Sequence, residues 1–160
     1  MSSAPLLVWL RDDLRLADNP ALHAAAASKA PLIVAYVLDE ESPGKRPLGG
    51  ASRWWLHHTL LSLGRNLAGR GVKLLLRRGP AASIIPDIVR SEKVASVFVN
   101  RRYGHARKID EDVARANLLC VTSPHVKNEM FLITAGSPLD DEDVIKGQRD
   151  PWSPLERHWP

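Results

Sequence analysis

Residues 8 to 22 read VWLRDDLRLADNPAL, a strand end, a charged turn and a helix start in one run. The apolar residues Leu6 to Leu10 have strand length, and Arg11 to Leu16 supply the turn. Asn19 is a good helix cap and Pro20 suits the first helical position, where its missing N–H costs nothing. A strand–loop–helix unit of this kind is the building block of an open α/β sheet. Its loop lies beyond the carboxyl end of the strand, where such sheets bind ligands.

The same alternation continues outward. Strands are predicted at Leu6–Leu10, Leu32–Leu38, Lys73–Leu76, Ser96–Asn100 and Leu118–Thr122, and helices at Pro20–Ser28, Ser52–Ala68, Ile85–Glu92 and His105–Ala116. The second helix has Ser52 as its expected cap and Trp55, Leu56, Thr59, Leu60, Leu63 and Leu67 at helical spacing. One of Trp54 and Trp55 is expected in the core and the other outside. Apolar strands separated by helices predict an α/β fold, a three-layer sandwich around a five-stranded parallel, doubly wound, Rossmann-like sheet. Residues 1–122 form the expected domain core. Residues 123–160, in which Met130–Ile133 is the one apolar stretch, are expected to wrap it as a tail with little regular structure. The loop Glu40–Gly50, rich in Pro and Gly, is either a plain connection or a lid.

At 160 residues, 44% hydrophobic and 25% charged, the chain is long enough to bury a core and too apolar for a disordered one. No run approaches the roughly 18 to 20 apolar residues of a membrane span. The start MSSAPLLVWL lacks the basic region of a signal peptide, and a lone cysteine, Cys120, suits a reducing compartment, so a cytoplasmic location is expected. The net charge is +4 and the pI about 9.5, but the cations read as scattered among 18 carboxylates. DNA contact by this chain alone is therefore not expected.

Two loops should meet where strand order reverses. One carries Arg11, Asp12 and Asp13, the other Asn100, Arg101, Arg102 and Tyr103. These residues can hold a planar or anionic small molecule by forked hydrogen bonds and stacking, or form an Arg–Asp network that pins the first loop to the fourth. No glycine cluster follows the first strand, so the dinucleotide fingerprint and the P-loop are both missing. Sequences of the SGGxDS or HxGH kind are absent too, which argues against ATP chemistry. His57 and His58 are adjacent and so diverge by about 100° on a helix. The other histidines are solitary, and Asp140–Asp143 lacks calcium-loop spacing, so no metal site is expected. No nucleophile has a readable partner.

Four segments resemble the α/β domain of the DNA photolyase/cryptochrome family, in order: VWLRDDLRLADNPAL, GASRWWLHHTLLSLGRNLAGRG, KLLLRRG and VFVNRRYGHARKIDED. A fifth, WSPLERHW, is a fainter echo of the element that closes that domain. The resemblance implies an antenna domain that in some members holds a deazaflavin, a flavin or a folate and passes excitation to FAD in a following helical domain. That FAD repairs pyrimidine dimers. The resemblance therefore implies no catalytic residue in this chain and no repair activity without the helical domain, which would be met in trans or in a longer relative. Residues matching deazaflavin-type pockets are Arg11, the strand end Tyr36, Val37 and Leu38, the helix start Ala51, Ser52 and Arg53, and Asn100; Asp12 and Arg101, from the two loops, complete the expected cofactor-binding set. Arg101 and Arg102 replace an acidic partner that some members place after the asparagine. Ala106 and Arg107 stand where folate-binding members have an acidic residue, which speaks against folate.

The leading expectation is an antenna or scaffold part of a light-dependent DNA repair flavoprotein, and whether the chain is itself an enzyme stays open. One alternative is a stand-alone flavin- or nucleotide-binding module using Arg11 and Asn100. Another is a partner that docks a separate helical domain through Trp54, Trp152 and Trp159.

Overall fold

The computed structural model describes residues 4–103, 105–115, 119–121 and 130–134. The elements follow as β1 (Leu6–Leu10), α1 (Pro20–Ala27), β2 (Leu32–Leu38), α2 (Gly50–Ala68), β3 (Lys73–Arg78), α3 (Ala81–Ser91), β4 (Ser96–Asn100), α4 (His105–Arg115), β5 (Leu119–Val121) and β6 (Met130–Thr134). The strand order is β3-β2-β1-β4-β6-β5. Four strands, β3 to β4, are parallel, whereas β6 runs antiparallel to both β4 and β5.

This corrects the expected five-stranded parallel sheet. The connection 122–129 is eight residues, too short for the crossover that a parallel neighbour needs, so the chain returns antiparallel. The apolar stretch at Met130 is the returning strand, and it sits between β4 and β5. The remainder of the expected tail, with Trp152 and Trp159, lies outside the described residues.

β1 is buried along its whole length, as a central parallel strand covered on both faces must be. Its alternation divides the core. Leu7 and Trp9 join Ile85, Ile88, Ile109 and Val113 under α3 and α4, while Leu6, Val8 and Leu10 join Ala21, Ala25, Leu63 and Leu67 under α1 and α2. Asn19 caps α1 as expected, accepting the Leu22 N–H at 3.1 Å, and Pro20 follows it. The cap of α2 is Gly49 and not Ser52, because the helix begins two residues earlier, and no side chain bonds its first turn. α3 starts at Ala81, ahead of the expected Ile85. Gly79, at φ +129°, ends β3 and Pro80 leads into the helix.

The apolar stripe of α2 is only half used. Leu63 and Leu67 are buried, but both tryptophans are outside, Trp54 at 58% and Trp55 at 68% exposure, against the expectation that one would enter the core. A helix of 19 residues outruns the short strand beneath it, so its first two turns project past the sheet.

Truncation at the used end of this stripe should be costly and truncation at the unused side cheap. Leu67→Ala is expected to lower unfolding free energy by about 2–5 kcal/mol, and Leu61→Ala by less than about 1 kcal/mol. Urea unfolding followed by circular dichroism measures both.

Candidate functional site

Arg11 leaves β1 at the sheet's carboxyl edge and is buried. Its backbone N–H donates to Asp13 Oδ1 at 3.0 Å, Nη2 donates to the Asn100 carbonyl, and Nη1 lies 2.8 Å from Asp110 Oδ1 of α4. The guanidinium sits 4.7 Å from the Trp9 ring centroid. Burial drives its pKa down to about 10 and the Asp110 carboxylate opposes that fall, so it remains a cation at neutral pH. Arg102 reaches the same carboxylate at 2.5 Å through Nη2 and meets Asp12 at 3.5 Å. Burial works against its charge too, but the hydrogen bond and charge of Asp110 outweigh burial and raise its pKa.

Asn100 closes the other half of the crevice. Its Oδ1 accepts the Ala21 N–H at 2.9 Å, and its Nδ2 donates to Asp13 Oδ2 and to Asn19 Oδ1. Asn19 Nδ2 in turn donates to the carbonyls of Arg15 and Asp13. Both N–H bonds and the carbonyl of the Asn100 amide are thus engaged within the protein. Arg11 and Asn100 are thus bonded to each other's loops, to α1 and to α4.

A second cluster stands at the end of β2. Glu40, its side chain only 7% exposed, pairs with Arg53 Nη2 at 2.7 Å and Arg78 Nη2 at 3.2 Å and accepts the Leu48 N–H. Arg53 Nε also donates to the Leu48 carbonyl at 2.8 Å. Asp39 accepts N–H bonds from Glu41, Ser42 and Ala81 and the Ser42 hydroxyl, so it supplies the first turn of α3 with a cap that Pro80 cannot. Burial pushes the Asp39 pKa up, but the Ser42 bonds and those from Ala81 and Glu41 outweigh it and hold the carboxyl below its ordinary range. The 40–50 loop is anchored at both ends by these carboxylates, which favours a fixed connection over a lid.

Tyr36 lies between the clusters. Burial first, then the charges of Asp12 and Glu40, raises its phenol pKa. The expected site residues therefore share the carboxyl edge of the sheet but not one wall. Val37 turns into the core beneath α3, Leu38 pairs with Arg78 on β3, Ala51 and Ser52 are exposed on the first turn of α2, and Arg101 stacks 5.2 Å from the exposed Tyr103 ring. Asp39, Glu40 and Asp110 were not anticipated. The adjacent acids closing the second strand were a local signal for the first two, whereas Asp110 arrives from a helix far along the chain and had none.

Two grooves lie on the α1/α2 side. One, of about 510 Å³, runs between the first loop and α2 and is walled by Leu14, Leu16, Trp55 and His58, with Arg15 and Arg70 also lining it. The other, about 840 Å³ and mostly apolar, continues from Leu16 and Arg70 between the two helices. None of the expected site residues lines either groove.

The family model described as DNA photolyase matches residues 6–133. A deoxyribodipyrimidine photo-lyase of Agrobacterium fabrum is 45% identical over 103 residues, covering 64% of this chain and 21% of that enzyme. The crystal structure of a bacterial class III photolyase from Agrobacterium tumefaciens superposes with a TM-score of 0.64 at 38% identity, over 72% of this chain and 23% of the other. An archaeal photolyase from Sulfolobus tokodaii, solved with two FAD molecules that imply a novel light-harvesting cofactor, shares the fold at TM-score 0.62 and 24% identity, over 70% of this chain and 26% of that one. The chain spans about a fifth to a quarter of the length of these relatives.

Removing the Asn100 side chain strands the Ala21 N–H and takes one donor each from Asp13 and Asn19. Asn100→Ala should cost about 1–3 kcal/mol in urea unfolding. Asp39 gives a pH signature. With its folded pKa below the unfolded value, its contribution is full above about pH 4 and lost as pH falls toward the folded pKa. Asp39→Asn should flatten the loss of stability in that acid window, read by thermal melts from pH 5 to pH 2.

Proposed function

Because the chain belongs to the DNA photolyase family, whose model matches residues 6–133, we propose that it is the α/β part of a light-dependent repair flavoprotein and works there as an antenna-chromophore carrier or scaffold. The chemistry of FAD, which is to accept and return electrons under light, belongs in this reading to a helical domain met in trans or in a longer polypeptide. This chain's own residues would bind, orient and shield a chromophore.

The observation that carries the reading is Trp55, 68% exposed on the wall of the groove between the first loop and α2. An exposed indole beside a concave, leucine-lined surface offers a stacking face for a planar ring system. Leu14, Leu16 and Leu63 would exclude water from one side, and Arg15 and Arg70 would meet an anionic tail. Deazaflavin and flavin fit this chemistry. The departure at Ala106 and Arg107, on the first turn of α4, speaks against a folate, which is included among the compounds for comparison.

A second placement is favoured by one feature, the open first turn of α2. Gly49 offers no side-chain cap, so the amides near Ala51 and Ser52 are available to a chromophore phosphate, with Arg53, Tyr36 and Asp12 beside them. In this placement Arg11, Asn100 and Arg101 fix the loops around the ligand instead of gripping it.

Absorption and tryptophan-fluorescence titration with FMN, a deazaflavin and methenyltetrahydrofolate tests both. Stoichiometric binding with quenched emission is expected. Trp55→Ala should weaken it at least tenfold if the groove holds the chromophore, and Ser52→Asp should do so if the helix start does. Absence of binding by every compound rejects the carrier role and leaves the scaffold.

A further inference from the structure

Among the described residues, five large apolar side chains are strongly exposed, and three of them, Trp54, Trp55 and Leu61, belong to α2. The core contacts of this helix are made by Leu63 and Leu67, with Leu60 packed beside them. At about 100° per residue, the positions directly opposite are Ala51, Trp54, His58, Leu61, Arg65 and Ala68, and all six are exposed. They follow one another at intervals of three and four residues, the repeat of a helix–helix seam. Trp54 and Leu61 line neither groove, and only His58 is shared with the groove at Trp55.

We propose that this stripe of α2 pairs with the same stripe of a second copy of the chain, the two helices running antiparallel about a two-fold axis. Antiparallel packing centred between Thr59 and Leu60 sets Trp54 against the partner's Arg65, His58 against the partner's Leu61, and Ala51 against the partner's Ala68. Each guanidinium then covers an indole face, where a cation is attracted by the ring. Within one copy Trp54 already tilts over the His58 ring at 4.3 Å, so the two rings form one ledge that is ordered before the partner arrives. The alanines at either end let the two backbones approach closely.

Direction follows from charge. α2 contains no Asp or Glu, and Arg65 forms no ion pair among the described residues. A parallel pair would oppose Arg65 to Arg65 at one level of the seam, whereas the antiparallel pair gives each Arg65 an attractive neighbour. The size of the contact sets its strength. From Ala51 to Ala68 the stripe is about 26 Å long at 1.5 Å per residue. One helix face of that length offers roughly 500 Å² on each copy, so the pair stands near the lower bound of about 1,000 Å² for a specific interface. The dimer is therefore reversible, with a dissociation constant in the tens of micromolar, and not obligate.

Sedimentation velocity on the full chain without chromophore, from about 2 to about 200 μM, reads the pairing and does not depend on the carrier role. The average mass should rise from one copy, 17.7 kDa, toward two. Trp54→Ala and Leu61→Lys should each raise the dissociation constant at least tenfold, and Arg65→Ala severalfold. Far-UV circular dichroism verifies that these exposed positions leave the fold intact. For direction, chains with Ala51→Cys are mixed with chains with Ala68→Cys and mildly oxidised, the unaltered chain with its Cys120 giving the background. Covalent dimers in the mixture, beyond those of either variant alone, are expected. A mass fixed at one copy throughout, the result if the chain's own C-terminal residues cover the stripe, overturns the proposal. So does pairing indifferent to Trp54→Ala and Leu61→Lys, or cross-linking of Ala68→Cys to itself above background, the mark of a parallel pair.

Discussion

One carboxamide holds the architecture of the sheet's carboxyl edge. Asn100 ends β4, yet its three bonds go to the start of α1, to its cap and to the first loop, so a strand late in the chain fixes a turn near its beginning. Asn19 repeats the logic on the other side, capping its own helix with Oδ1 and tying down the Arg15 and Asp13 carbonyls with Nδ2. The Arg11 and Ala21 N–H groups and the Asn100, Asp13 and Arg15 carbonyls at the topological switch point are thereby met by side chains, which lets a loop of charged residues lie over the core.

The ionic groups obey the same economy. Arg11 is buried against Trp9 with Asp110 opposite, and Arg102 closes over that carboxylate. Breaking such a set by removing one member leaves a buried charge uncompensated, which costs far more than the set contributes when complete. These residues therefore serve to hold geometry. The Trp55 groove and the uncapped start of α2 lie outside this network.

The first strand and the first helix were legible because their signals are local: five apolar residues in a row and an Asn-Pro start. The antiparallel return of Met130–Thr134 was not, since periodicity cannot tell which way a strand runs, and only the short connection argued against a parallel mate. The burial of α2 misled because helical spacing reports which side could be buried and not how far the supporting sheet extends. Arg11 and Asn100 were rightly singled out as meeting across the crevice. What sequence could not decide was whether their hydrogen bonds end on a ligand or on each other, because Asp110 and Ala21 come from distant parts of the chain.

The margins of the sheet have a bearing on how the domain behaves in a crowded solution. Among the described residues, one margin, β3, carries Lys73 at its start and Arg77 and Arg78 at its end, and the other, β5, is three residues long. Charged or very short edges are poor templates for a further strand, and two copies meeting margin to margin would oppose like charges. The sheet is therefore guarded against open-ended growth by strand addition.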